Sequence, residues 1–161
     1  MARYVSSIIC RRVSVDAHTN AMSLFEIVEG LILEVARKEN HASTKLAPVE
    51  MTHVTTVVRS DPATPEKIKA RLTLVLPSKK SIQGNTFDID LQSQFGYTAN
   101  VEISELPIDG SGIYEFVTEF KDPTGGWKPV ASLPLQVALK VAPSARRSRQ
   151  TAKKRAAKKK K

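Results

Sequence analysis

Alternation with a period of two runs through the middle of this chain. Ile68, Ala70, Leu72, Leu74 and Leu76 alternate with Lys69, Arg71, Thr73 and Val75. Phe87, Ile89 and Leu91 alternate with Asp88 and Asp90. Phe95, Tyr97, Ala99, Val101 and Ile103 alternate with Thr98, Asn100, Glu102 and Ser104. Tyr114, Phe116, Thr118 and Phe120 share one parity, and Glu115 and Glu119 the other. Successive side chains of a strand point to opposite faces, so these runs describe strands with one apolar face and one wet face.

Turn chemistry separates the runs. Asp61-Pro62-Ala63-Thr64-Pro65 is a turn that proline makes rigid. Pro77 to Asn85 is polar, Leu106 to Gly112 carries Pro107, Gly110 and Gly112, and Asp122-Pro123-Thr124-Gly125-Gly126 is hairpin-like. Met51 to Val58 is rich in β-branched residues, which suit a pleated surface. Trp127, Val130, Leu133, Leu135, Val137 and Leu139 form a last strand, in which Pro134 marks an edge or a bulge. About eight strands, with turns roughly every 8 to 12 residues, predict an all-β fold: a two-sheet antiparallel β-sandwich.

The stretch Tyr4 to Gly30 opens this domain. Apolar-rich runs flank Asp16-Ala17-His18-Thr19-Asn20, whose Asp and Asn favour a turn, so a long hairpin is expected. Beyond it Leu24, Ile27, Val28, Leu31, Ile32 and Val35 follow the spacing of an amphipathic helix that Ala36 to Glu39 would continue. A strand over about 22 to 29 fits the preceding turn better, and the helix over 24–39 stays the alternative. Asn40 to Lys45 is a loop in either case. Asp16, Asn20, Ser23-Leu24-Phe25, Ile27 and Glu29, following a strand with Cys10-Arg11-Arg12, resemble an uncharacterised bacterial family of single all-β domains. The resemblance extends to Gly112 through Val117 and to Leu133-Pro134-Leu135, and covers residues 4 to 139. It implies a fold and a bacterial setting, and no catalytic residue, cofactor or substrate.

Charge divides the chain. Arg146, Arg147, Arg149, Lys153, Lys154, Arg155, Lys158, Lys159, Lys160 and Lys161 are ten cations with no acid among them. The whole chain has 25 basic and 16 acidic residues, so setting those ten aside leaves 15 against 16, a net of −1. The basic character belongs to the end of the chain. Residues 1–142 are read as the sandwich domain and 143–161 as a tail that buries too little apolar surface to stay ordered when free. Clustered Lys and Arg neutralise phosphates and release counterions without reading sequence. No aromatic residue lies among 140–161, so base stacking is not expected. Nucleic acid is therefore the expected partner of the tail, with an anionic membrane surface or an acidic protein as further candidates, although no apolar anchor accompanies the charges. A protein partner for the sandwich, with the tail only solubilising it, is the alternative.

Little else points to chemistry. Cys10 is the only cysteine, which precludes an intrachain disulfide and fits a reducing cytoplasm. No N-terminal apolar leader and no run of about 18 apolar residues is present, so no transmembrane helix is expected. His18, His41 and His53 lack ligand spacing, and no phosphate-binding glycine pattern precedes a helix. Cys10 reads as an inert buried thiol rather than a nucleophile. Asp88 and Asp90 share one strand face and read as wet-face residues, while Asp16, Asp61, Asp109 and Asp122 are loop acids that would hold calcium only if they shared an end of the sandwich. Tyr97, Tyr114, Phe116, Phe120 and Trp127 read as core or core edge, with a place at an end of the sandwich, anchoring a partner, as the alternative for Trp127, which follows Gly125-Gly126. No catalytic residue, cofactor or metal site is assigned, and the chain is read as a non-enzyme.

Overall fold

The computed structural model describes residues 2–19, 21–35 and 45–141. They form nine strands: β1 (Arg3–Val15), β2 (Met22–Ile27), β3 (Gly30–Val35), β4 (Lys45–Val58), β5 (Glu66–Val75), β6 (Ser81–Leu91), β7 (Gly96–Ile108), β8 (Gly112–Lys121) and β9 (Trp127–Val141). The strands make two sheets, in the orders β2-β1-β4-β7 and β3-β9-β8-β5-β6. This is the all-β two-layer architecture that the alternation predicts.

The opening hairpin forms as expected. β1 and β2 pair antiparallel, with Val15 opposite Met22 and Arg12 opposite Phe25. Asp16 organises the turn: its Oδ1 accepts from the Thr19 amide at 2.7 Å, the His18 amide at 3.0 Å and the Thr19 hydroxyl at 2.8 Å.

The segment after the turn supplies the ninth strand. The expected strand over 22 to 29 ends at Ile27, and the chain crosses from one sheet to the other through Val28 and Glu29. The Val28 amide donates to the Ile9 carbonyl, and the Glu29 carbonyl accepts from the Gln136 amide, so each crossing residue is tied to a different sheet. Glu26, within β2 just before the crossing, has φ 56. β3 then runs parallel to β9, with Gly30 beside Gln136 and Val35 beside Val141. That pair departs from the all-antiparallel expectation. The helical spacing of Leu24, Ile27, Val28, Leu31, Ile32 and Val35 arises because the crossing resets the period of two. Ile27 and Ile32 are 60% and 72% exposed, so the six residues share no buried stripe. Residues 36–44, where the helix alternative and the loop were also placed, lie outside the described residues.

Pro134 sits where strand chemistry tolerates it. β3 covers β9 only from Gln136 onward, so Pro129 and Pro134 fall in a half of β9 that has β8 on one side and no described strand on the other. A missing backbone donor costs nothing in the ladder there.

The interior is two apolar clusters separated by a polar layer. One cluster holds Ile9, Met51, Leu72, Leu76, Leu106, Tyr114, Phe116, Leu135 and Val137. The other holds Ala2, Val57, Ala70, Ile89, Leu91 and Phe120. On β4, His53 and Thr55 stand between Met51 and Val57. On β8, Thr118 stands between Phe116 and Phe120. The rings of His53 and Phe116 lie 6.1 Å apart, so these two rows face each other across the sandwich.

β6 carries a bulge in which Gly84 and Asn85 oppose Leu72, between the pairs Arg71 with Thr86 and Thr73 with Gln83. A Cβ on Gly84 would sit 2.6 Å from the Leu72 carbonyl oxygen, which is backbone and cannot step aside cheaply. Gly84→Ala is expected to lower stability by about 1 to 2 kcal/mol, read as a fall in urea midpoint at unchanged slope. An unchanged midpoint would show that the bulge relaxes freely.

Candidate functional site

The ten tail cations from Arg146 to Lys161, and the 142/143 boundary itself, lie outside the described residues, as does His41. What the structure shows is how the body disposes of its own charge. Arg11 and Arg12 both reach Glu26, at 3.8 and 3.1 Å. Lys67 pairs with Asp88 at 3.4 Å. Arg59 ties loops together, donating to the carbonyls of Leu91, Pro62 and Gln92 at 2.7, 2.9 and 2.8 Å.

Arg71 is the most fully engaged cation among the described residues. Its Nε and one terminal nitrogen grip Glu119 at 2.6 and 3.2 Å, and its other terminal nitrogen donates to Gln83. The Thr73 hydroxyl donates to the same carboxylate, and the guanidinium lies 4.4 Å from the centre of the Trp127 ring. The hydrogen bond from Arg71, chiefly, holds the Glu119 carboxyl below its ordinary pKa. Trp127 pairs with Lys121 in register and caps Arg71 on the face of the sheet turned away from the core. The core placement read from sequence is corrected accordingly: a flat aromatic ring covers a charged pair instead of filling the interior.

The other candidates resolve one by one. Cys10 is fully buried, and burial raises its pKa, so the thiol stays protonated. His18 lies in the exposed opening turn. His53 is buried; its Nδ1 meets the Thr55 hydroxyl at 3.2 Å, which meets the Ser7 hydroxyl at 3.0 Å. Its Nε2 and the Thr118 hydroxyl have no partner. Desolvation lowers the His53 pKa to about 4. Sequence reasoning recognised His53 as a strand residue and had no signal for its partnerless nitrogen.

Asp88 and Asp90 part company, Asp88 going to Lys67 and Asp90 to the Gln92 amide at 2.9 Å. The loop acids split by strand direction. Asp61 and Asp122 follow the ends of β4 and β8 near Val57 and Phe120, whereas Asp16 and Asp109 lie at the opposite end. Each turns its carboxylate onto local partners: Asp61 onto the Ala63 amide and Thr64 hydroxyl, Asp122 onto the Thr124 hydroxyl and Gly126 amide, and Asp109 onto the Ser78 amide. Among the described residues no three His, Cys, Asp or Glu side chains gather as a metal would need. Nor is any helix there long and apolar enough to cross a membrane.

One concavity stands out. Between β6 and β7 the two sheets leave an open cleft of about 1240 Å³. Leu74, Ile82 and Phe87 line one wall and Val101 and Ile103 the other, all half-buried, over a floor that includes Phe116. The alternation predicts apolar faces for Leu74, Phe87, Val101 and Ile103, whereas Ile82 falls in the polar Pro77–Asn85 stretch read as a turn; the structure puts it in β6, beside the Gly84–Asn85 bulge.

No family model matches this chain, and no curated protein is similar to it.

Proposed function

We propose that this chain is a non-enzymatic binding module of the cytoplasm, in which a nearly neutral β-sandwich carries a cationic tail that contacts nucleic-acid phosphates without reading sequence. The single observation behind this reading is the charge division: ten cations and no acid in residues 146–161, against a net of −1 in the rest. Lys153, Lys154, Arg155 and Lys158 to Lys161 carry the contact, and Arg146, Arg147 and Arg149 extend it. The body supports this division of labour, because Arg11, Arg12, Arg59, Lys67 and Arg71 are spent on internal partners. The resemblance of the opening hairpin to a bacterial all-β family agrees with this setting and adds no site residue.

The test compares the full chain with a 1–142 truncation in binding to a generic duplex. Contact with about six phosphates gives a log–log salt slope near −5. The truncation is expected to lose at least about tenfold in affinity at low salt, along with most of that slope. Equal affinities for the two proteins would end the proposal.

A second reading, a protein-interaction or assembly module with an incidental tail, is favoured by the long edges of β6 and β7 beside the cleft, which among the described residues pair on one side only.

A further inference from the structure

We propose that the cleft between β6 and β7 is a strand-addition site, which takes an extended segment of another polypeptide with apolar residues at alternate positions and basic residues between them. This rests on the second reading and gives it a place and a chemistry.

The sandwich is closed on one side and open on the other. On the closed side the crossing at Val28 and Glu29 ties the two sheets together. On the open side β7 ends one sheet and β6 ends the other. The two edges join through residues 92–95 and run antiparallel, with the cleft between them from Phe87 and Tyr97 outward to Ile82 and Pro107. The Gly84–Asn85 bulge lies on its rim. A bulge bends its strand and sharpens its twist, which holds an edge away from its neighbour.

The choice of occupant follows from what lines the cleft. Its inner walls carry Leu74, Ile82, Phe87, Val101 and Ile103, which water covers at a cost, while Asn85, Asn100 and Ser104 give its rims polar groups. Its rims are strand edges: β7 pairs with β4 along one side, and its other side meets no strand among the described residues. An acyl chain would cover the walls and strip water from the edge amides and carbonyls, leaving them without partners. An extended peptide covers the walls with alternate side chains and satisfies the edge with its own backbone. The free edge of β9 is a poor competitor, because Pro129 and Pro134 lack donors there. β7 has only Pro107, near its end.

The rim charge completes the argument. Arg11 and Arg12, at one end of the cleft, are held by Glu26, and Asp88 is held by Lys67. Glu102 and Glu105 of β7 are exposed and have no ion-pair partner among the described residues. Because Arg11 and Arg12 share one carboxylate, the named rim groups are three cations (Arg11, Arg12, Lys67) against four anions (Glu26, Asp88, Glu102, Glu105), a net of −1 that Glu102 and Glu105 supply and that favours a basic segment over an acidic one.

The probe is a capped octapeptide of alternating Lys and Val, titrated into the full chain and followed by backbone amide NMR. Its charge keeps it off the cationic tail. Saturable binding is expected below about 1 mM, with shifts confined to β6 and β7 and slowed exchange of β7 amides. N-methylation of alternate peptide nitrogens, and the double variant Glu102→Lys/Glu105→Lys, are each expected to weaken it by about tenfold or more. Absence of binding, equal binding of the N-methylated peptide, or palmitate occupying the cleft while the peptide does not, would overturn the proposal. A co-purifying protein that leaves β7 amides unprotected would overturn this site and leave the interaction reading standing.

Discussion

Acidification from about pH 8 to about pH 5 is expected to remove about 2 kcal/mol of folding stability through His53 alone, and about 3 kcal/mol by pH 4. The side chain is buried in the polar layer, its ring beside Phe116 and its Nε2 without a partner. Desolvation therefore favours the neutral ring, and its pKa falls from 6.5 to about 4. An unfolded chain takes up the proton near pH 6.5, whereas the folded chain resists until about 4. Between those values the unfolded state binds more protons, so stability is complete above the window and drains away as the pH falls through it. His53→Leu removes the titrating group and the orphan nitrogen together. It is expected to lie within about 1 kcal/mol of the parent at pH 8 and to be about 2 kcal/mol more stable at pH 5. Urea unfolding of both proteins at three pH values reads this directly. Parallel pH profiles would show that His53 is not the titrating group.

A polar layer in the middle of a sandwich also bears on what was legible beforehand. Strand parity carried the architecture, because every core strand from β5 to β8 keeps one apolar face; Pro77 and Asp109-Gly110 mark the turns after β5 and β7, while the β6–β7 connection, Gln92 to Phe95, has no such residue. The opening hairpin was legible from Asp16, whose carboxylate makes the turn that its position predicts. The ninth strand was not. A two-residue crossing leaves no mark except a broken period, and a broken period of two can mimic a period of 3.6. The pairing of β3 with β9 joins Gly30 to Gln136, a separation over which local patterning says nothing. Trp127 was misread for a related reason: composition makes a lone tryptophan look like core, while its stacking partner Arg71 lies far away in sequence. Of the proposed site, the tail's charge was plain in the sequence. The cleft was not, because each of its walls looks like any other inner face until the sheets are seen to part.

The Arg71–Glu119 pair gives the second large effect. Both side chains are mostly buried, 14% and 13% exposed, and their contact is two-pronged. Arg71→Met keeps the stem against Trp127 and deletes the guanidinium, which strands the Glu119 carboxylate with only the Thr73 hydroxyl as donor. A carboxylate left in such a place is expensive, and the expected loss is about 3 kcal/mol. Joint replacement, Arg71→Met with Glu119→Met, removes the stranded charge and is expected to recover most of that loss. A coupling energy of about 2 kcal/mol from the double-mutant cycle, measured by urea unfolding near pH 7, is the quantity to test. Trp127, the only tryptophan of the chain, reports the same site by its fluorescence, since the guanidinium it covers is present or absent across the series. The pair also has its own acid signature. Because Arg71 depresses the Glu119 pKa below its ordinary 4.5, its contribution is present above that value and disappears as the pH falls through the lowered one, a window that opens at lower pH than that of His53, whose ordinary value is 6.5. The Arg71→Met variant should therefore lose this lower limb and keep the upper one, while His53→Leu does the reverse. A single Arg71→Met cost under about 1 kcal/mol, with no coupling to Glu119, would mean that solvent and Thr73 satisfy the carboxylate unaided.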